Sequence, residues 1–247
     1  MRSATGLFAV ALFTMATFGS AQAGPWYAKG DHVDAGAGVW NSSAANEMFD
    51  DGTSGDAVSG DGIHTRDVVV DQAVGRHEFK VALDDWSVAY PGTNQWVHIN
   101  TAGETITMTL DTNFYADDWI PNENIVWNSN AMPPGSTPEV IGAAPEIGAW
   151  TSGVPGTLSG SVWSVSVNVA TPGLYEYKWR ANGNWDDFAF GLDGASSAGG
   201  NLGFETTSPD EPIRFELDVA TGRARVVYEG TVSVESDTWS GVKALYR

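Results

Sequence analysis

Hydrophobic and polar residues alternate along several short stretches of the chain, which is the pattern of β-strands with one buried face. Prolines, glycines and asparagines separate these stretches and indicate turns. No window shows the sustained 3.6-residue period of an amphipathic helix. The pattern therefore predicts an all-β protein, with strands over residues 64–70, 78–83, 105–110, 162–169, 175–180, 213–219 and 224–228.

The residues in the predicted turns indicate which kind of all-β fold to expect. Asn182-Gly183 lies between two strand-like stretches and is a favoured hairpin tip, because both residues tolerate a positive φ. Many short strands with regular turn signals are typical of immunoglobulin-like β-sandwiches.

The chain contains an internal similarity at a spacing of about 100 residues, the size of a domain rather than of a solenoid repeat. We therefore expect two tandem sandwiches, over residues 24–127 and 140–230, joined by a proline-rich linker over 128–139 and followed by a tail over 231–247. The aligned pairs are Gly75 with Gly173, Glu78 with Glu176, Lys80 with Lys178, Trp86 with Trp185, and residues 106–111 with 213–218.

The N-terminus has the pattern of a targeting segment. Arg2 precedes an apolar run over residues 7–18, and Ala21-Gln22-Ala23 forms a small-x-small site before Gly24. This predicts a secretory signal peptide over residues 1–23. The alternative is an uncleaved anchor, although the run is short for a membrane span. No later apolar stretch has membrane length, so we expect an exported chain without a transmembrane segment.

Charge and composition exclude several classes of function. The chain has 12 Lys and Arg against 31 Asp and Glu, a net charge of −19. That balance argues against nucleic acid and anionic membranes as partners, since both need a basic face. The chain has no cysteine, which excludes disulfides, thiolate metal sites and cysteine nucleophiles. Eleven tryptophans are an unusual number for this length.

The second copy resembles the immunoglobulin-like starch-binding modules of bacterial pullulanases and of starch-utilisation outer-membrane proteins. The match covers most of residues 140–228, and the first copy matches more loosely at Phe79-Lys80 and at residues 86–91. The resemblance implies a glucan-binding sandwich, although Ser87 stands where the family has an acidic residue after the tryptophan. The segments that carry it are Gly173-Leu174-Tyr175-Glu176-Tyr177-Lys178, Asn182-Gly183-Asn184-Trp185-Asp186-Asp187, Gly199-Gly200-Asn201-Leu202 and Ile213-Arg214-Phe215-Glu216.

Tryptophans in loop-like sequence are the strongest candidates for ligand binding. An exposed indole packs on the apolar face of a sugar ring while nearby polar groups bond its hydroxyls. The alternative is that these rings plug the ends of the sandwich, as we expect of Trp163 and Trp179 in the core. The loop-like tryptophans are Trp86, Trp96, Trp119, Trp127 and Trp185. The predicted carbohydrate-binding residues are Trp185, Asp186, Lys178 and Asn201 in the second copy, and Trp86, Trp96 and Lys80 in the first.

Two further features have alternative interpretations. The lysines at equivalent positions, Lys80 and Lys178, either bond sugar hydroxyls or pair with a nearby carboxylate. A glycine-rich loop carries four acidic residues that suit a weak Ca²⁺ site. Asx-turn capping explains the same residues without a metal. The loop resembles Asp-Asp-Gly loops in sandwich domains of secreted bacterial proteins, which supports fold and export only; its acidic residues are Asp50, Asp51, Asp56 and Asp61.

Catalysis has little support in the sequence. Asp117-Asp118 and Asp186-Asp187 are adjacent, and neighbouring residues of a strand point to opposite faces. The motifs of serine hydrolases, zinc proteases and phosphate-binding loops are missing. We expect a non-catalytic, secreted, periplasmic or cell-surface bacterial protein that needs no cofactor beyond a possible Ca²⁺ ion. Its expected partner is an α-glucan or related polysaccharide, with other cell-surface proteins as further partners. The alternative is a structural or adhesive surface protein without a sugar site.

Overall fold

The computed structural model describes residues 24–34, 38–196 and 198–230. The predicted signal peptide and C-terminal tail lie outside the described residues. The predicted all-β fold is confirmed, because the regular secondary structure of the described residues is antiparallel strands apart from one 3₁₀ turn, Pro145–Ile147. Among the described residues, no helix is long or apolar enough to cross a membrane.

We refer to β1–β7 as the first half and to β8–β17 as the second half. The first half contains β1 (Trp26–Gly30), β2 (Glu47–Met48), β3 (Ile63–Val69), β4 (Gly75–Leu83), β5 (Ala89–Ile99), β6 (Thr105–Asp111) and β7 (Ile125–Asn128). The second half contains β8 (Pro138–Gly142), β9 (Val154–Pro155), β10 (Thr157–Ser159), β11 (Val162–Val169), β12 (Gly173–Ala181), β13 (Asn184–Gly191), β14 (Gly194–Ala195), β15 (Leu202–Thr206), β16 (Glu211–Asp218) and β17 (Arg223–Tyr228).

Each half has two sheets that enclose a hydrophobic core. In the first half the sheets have the orders β2-β1-β4-β5 and β3-β6-β7. In the second half they are β10-β11-β16-β17 and β14-β13-β12-β8-β9, with β15 also paired to β12. Ile106, Met108 and Leu110 alternate with threonines on β6 and are fully buried, so the period-2 pattern correctly identified the inner face.

The two halves have corresponding strand orders. β4 and β12 are both nine residues long and begin at the aligned glycines Gly75 and Gly173. Each is paired with the first strand of its half and with the strand that follows it in sequence. The orders β3-β6-β7 and β11-β16-β17 also correspond. The division into domains stays a prediction; the ends of the predicted linker, Asn128 and Glu139, belong to β7 and β8.

Gly30 and Gly142 are equivalent positions that share one steric constraint. Gly30 faces Phe79 across β1 and β4, and Gly142 faces Tyr177 across β8 and β12. A Cβ atom at either position would collide with a backbone carbonyl oxygen, that of Glu78 or of Glu176. The following residue donates its amide to the same carbonyl oxygen in both halves, at 3.0 and 2.8 Å. Only glycine permits this close approach of the two strands.

Hydrogen bonds connect the two halves directly. Trp127 of β7 donates its indole N–H to the carbonyl of Val219 at 2.8 Å. Gln95 of β5 donates to the carbonyl of Asp193 at 2.8 Å. The connection between β6 and β7 also reaches the second half, where Ile120 forms a β-bridge with Ala224.

Candidate functional site

Four side chains of the second half line one open depression with a volume of about 340 Å³. They are Trp150, Lys178, Trp185 and Asn201. Three of the four are residues that the sequence predicts for carbohydrate binding, although they lie on different elements. Trp150 was not predicted. We call this site the tryptophan depression.

The hairpin between β12 and β13 positions Trp185. Asn182 and Gly183 have φ values of 54° and 71°, as a tight two-residue turn requires, so the predicted hairpin tip is confirmed. Trp185 follows as the second residue of β13 and is 36% exposed. The guanidinium of Arg180 lies 5.3 Å from the centroid of its ring. Arg180 is itself held by a buried ion pair with Glu139, so the support beneath the indole is rigid.

Trp150 occupies a strained backbone position. Its φ is 61°, a left-handed conformation that is rare for a bulky residue and carries a strain of about 1–3 kcal/mol. Its amide donates to the carbonyl of Gly142 at 2.9 Å, which holds the loop after β8 in place. The ring is 39% exposed. The sequence contains no motif that marks this conformation, since it depends on the packing of the loop.

Lys178 and Asn201 supply the polar groups of the depression. The Lys178 ammonium donates to the carbonyl of Gly199, and burial lowers the pKa of Lys178 while the carboxylate of Asp193 opposes that shift. Asn201 donates its amide N–H to Glu176 at 2.9 Å. With its NH₂ group so engaged, the amide oxygen of Asn201 has no hydrogen bond within the described chain and remains available as an acceptor.

The first half has an equivalent pair of tryptophans. Trp40 has a φ of 64° and donates its amide to the carbonyl of Gly30 at 2.8 Å, as Trp150 does to Gly142. Trp86, in the turn after β4, is 43% exposed. The centroids of these two rings lie 6.3 Å apart with an interplanar angle of 35°. The Lys29 ammonium lies 4.5 Å from the centroid of the Trp86 ring.

The polar groups around β4 and β12 also correspond. Lys80 donates to the carbonyl of Gly92 at 2.7 Å, as Lys178 does to Gly199. Asn94 donates to the Glu78 carboxylate at 2.8 Å, as Asn201 does to Glu176. In the described part of the chain neither lysine forms a salt bridge, and the Asp193 carboxylate acts on Lys178 without pairing with it directly. Backbone carbonyls accept the ammonium hydrogen bonds instead, that of Gly92 in β5 for Lys80 and that of Gly199 in the loop before β15 for Lys178.

Three sequence-based placements need correction. Trp96 and Trp127 were assigned to loops, but they lie in β5 and β7 and are 2% and 7% exposed. Trp96 packs against the guanidinium of Arg76 at 4.3 Å and therefore offers no open face. Asp186 does not line the depression; its exposed carboxylate pairs with Arg76 at 3.2 Å. Because successive residues of a strand alternate in direction, Trp185 and Asp186 point to opposite sides of β13.

Two tryptophans predicted for the core lie there. Trp179 is completely buried, and Trp163 is partly buried against the core of the second half. Trp119, predicted as a loop residue, lies half-buried in the connection between β6 and β7. The guanidinium of Arg225 lies 4.4 Å from the centroid of its ring.

Three of the four predicted metal ligands converge. Asp50, Asp56 and Asp61 each have an oxygen within 4.8 Å of the others, whereas Asp51 bonds Thr53 instead. Asp50 accepts three backbone amides, from residues 60, 61 and 62, and Asp56 accepts the amide of residue 52. These bonds agree with the Asx-turn interpretation, and the same carboxylates retain lone pairs for a cation.

A search with models of known protein families and a search of curated proteins found no match to this chain. The site is therefore interpreted from its own geometry.

Proposed function

We propose that the protein is a non-catalytic carbohydrate-binding protein that holds an α-glucan or a related polysaccharide in the tryptophan depression. The observation that carries this proposal is the convergence of Trp150, Trp185, Lys178 and Asn201 on one open depression. Two partly exposed indoles offer apolar faces to the C–H face of a sugar. The lysine ammonium and the asparagine oxygen offer a donor and an acceptor to its hydroxyls.

The open shape of the depression favours a polymer over a small enclosed ligand. An enclosed pocket buries most of its ligand, whereas an open surface accepts a few units and lets the chain continue on both sides. Trp150, Trp185 and Trp86 are more than a third exposed, which argues for a binding surface over the alternative of a structural protein with all its tryptophans in the core. Export to the periplasm or cell surface belongs to the same proposal and depends on the predicted signal peptide.

Affinity electrophoresis tests the proposal directly. The mature protein is run through native gels that contain starch, glycogen, pullulan or a β-glucan, with an unsupplemented gel as reference. We expect retardation in at least one α-glucan gel and its loss in Trp185→Ala and Trp150→Ala. Leu158→Ala is the control, because Leu158 is also an exposed apolar side chain of the second half but lies on β10. Unretarded migration of the unmodified protein in every glucan gel would falsify the proposal.

A further inference from the structure

A second cavity, of about 620 Å³, lies where the two halves meet. One wall is the connection between β6 and β7, and the other is formed by β12, β15 and β17 of the second half. We call it the seam cavity. It shares no residue with the tryptophan depression, and its volume falls in the range of about 300–1,000 Å³ that is typical of small-molecule sites.

The wall from the first half is fastened to the second half by several contacts. Ile120 and Ala224 exchange two backbone hydrogen bonds, at 2.7 and 2.8 Å. The Arg223 guanidinium pairs with the Asp117 carboxylate and donates to the carbonyls of Pro121 and Trp119. The hydrogen bond from Arg223 holds the pKa of Asp117 below its usual range. The cavity is therefore preformed between anchored walls.

Tyr177 contributes a hydroxyl group to the wall of the seam cavity. The residue is 2% exposed and packs between Phe204 and Phe215, yet it lines the seam cavity. Burial strongly raises the pKa of Tyr177, so the hydroxyl stays protonated and is a donor. A ligand oxygen in the cavity can therefore accept a hydrogen bond from this hydroxyl.

The other polar side chains that line the seam cavity include both hydrogen-bond donors and acceptors. Asp118 has no ion pair among the described residues and offers an acceptor, and the side-chain amide of Asn122 offers both a donor and an acceptor. Arg225 uses its Nε for Glu216 at 2.6 Å, which leaves its terminal nitrogens as donors. The ring of Trp119, held against Arg225, adds an apolar surface.

This combination selects a neutral ligand with several hydroxyl groups. An anion would meet the Asp117 and Asp118 carboxylates, and a cation would meet the Arg225 guanidinium. A hydroxyl both donates and accepts, so a sugar satisfies the carboxylate, the amide, the guanidinium and the phenol together. We propose that the seam cavity is a second binding site that holds a single neutral sugar unit between the two halves.

Amide NMR of the labelled protein tests this site with glucose, galactose and mannose as separate probes. We expect at least one sugar to shift the amide signals of Gly203 and Asn122, which line the cavity. Tyr177→Phe removes only the hydroxyl and should weaken that binding three- to tenfold. Tyr175→Phe is its control, because Tyr175 lies two residues away on β12 and bonds Thr171 instead.

A second pair of variants tests the site independently, in case Tyr177→Phe does not fold. Asp118→Asn should also weaken sugar binding, whereas Glu123→Gln, in the same connection but outside the cavity lining, should not. Trp185→Ala should leave the shifts of Gly203 and Asn122 unchanged, so that failure at the seam cavity is distinguishable from failure at the tryptophan depression. The proposal is wrong if none of the three sugars shifts these signals, or if only phosphate or tetramethylammonium does.

Discussion

The two halves hold tryptophans with the same backbone geometry, but the side chains around those tryptophans differ. Trp40 and Trp150 have the same left-handed φ and the same amide bond to an equivalent glycine. In the second half the indoles line a depression together with Lys178 and Asn201. In the first half Trp40 packs near Trp86, and the Lys29 ammonium lies against the Trp86 ring.

The difference indicates which parts of the scaffold are structural and which are adapted to a ligand. The glycine, the carbonyl-bound lysine and the asparagine–glutamate bond occur in both halves and support the strands around the site. The contacts of the indoles differ between the halves. We therefore expect stability to depend equally on the shared positions and ligand binding to depend mainly on the second half.

The largest effect is expected at the shared glycines. Gly30→Ala and Gly142→Ala each force a Cβ into a backbone carbonyl oxygen, so each should lower the free energy of unfolding by about 3 kcal/mol. Urea denaturation measures the change. Gly92→Ala and Gly203→Ala are the controls, because a Cβ at Gly92 meets nothing within 4 Å and one at Gly203 meets only an oxygen at 3.8 Å. If Gly30→Ala and Gly142→Ala were as stable as the two control variants, the close approach of the strands would not require glycine at these positions.

Acid should destabilise the first half selectively, because all four histidines of the sequence lie there. Burial, with a smaller contribution from His77, lowers the pKa of His32 from 6.5 to about 4. The unfolded chain therefore binds a proton that the folded chain excludes, so stability present above pH 6.5 is lost as the pH falls toward 4. The loss from His32 alone is about 2 kcal/mol at pH 5.

Hydrogen exchange at pH 7 and pH 5 tests this difference between the halves. Core amides of β4 and β6 should lose protection relative to those of β12 and β16 once exchange rates are corrected for pH. In His32→Leu, the loss of unfolding free energy between pH 7 and pH 5 should be smaller by about 2 kcal/mol. Part of the loss should persist in this variant, because burial also lowers the pKa of His64 and His98. An unchanged pH dependence in His32→Leu would contradict the assignment.

The two halves should also contribute unequally to glucan binding, and we expect this difference to be smaller in free energy than the effects on stability. Trp185→Ala should weaken binding by tenfold or more, which corresponds to about 1.4 kcal/mol. Trp86→Ala should weaken it less than threefold, because the Trp86 ring already contacts Trp40 and Lys29. Retention in glycogen gels of graded concentration gives both values. A larger effect of Trp86→Ala would place the main site in the first half.

The sequence predicted the fold more completely than the site, for identifiable reasons. β3, β6 and β11 lie within one residue of their predicted bounds, because half-buried strands alternate regularly. β5 and β7 escaped prediction: β5 contains Pro91 and Gly92, and β7 is a short, fully buried run, so neither shows a clear alternation. That same burial explains why Trp96 and Trp127 were misplaced in loops.

Trp150 escaped prediction because its exposure depends on tertiary structure. Lys178, Trp185 and Asn201 were recognised from residue type and from the resemblance, both of which are local in sequence. Trp150 reaches the same depression only through the bond of its amide to Gly142 and through a left-handed φ. Neither property is encoded by a residue type, since tryptophan rarely adopts that conformation.

The smallest expected effect concerns the acidic loop, which has no counterpart among the described residues of the second half. If Ca²⁺ binds Asp50, Asp56 and Asp61 with a dissociation constant of about 0.1–1 mM, 1 mM Ca²⁺ stabilises the fold by about 0.4–1.4 kcal/mol. Calorimetric scans with Ca²⁺, Mg²⁺ or EDTA should show a rise in melting temperature with Ca²⁺ that Asp56→Asn abolishes. Asp51→Asn is the matched control, because Asp51 bonds Thr53 and lies outside the cluster. If Ca²⁺ leaves the melting temperature unchanged, backbone capping alone accounts for the acidic loop.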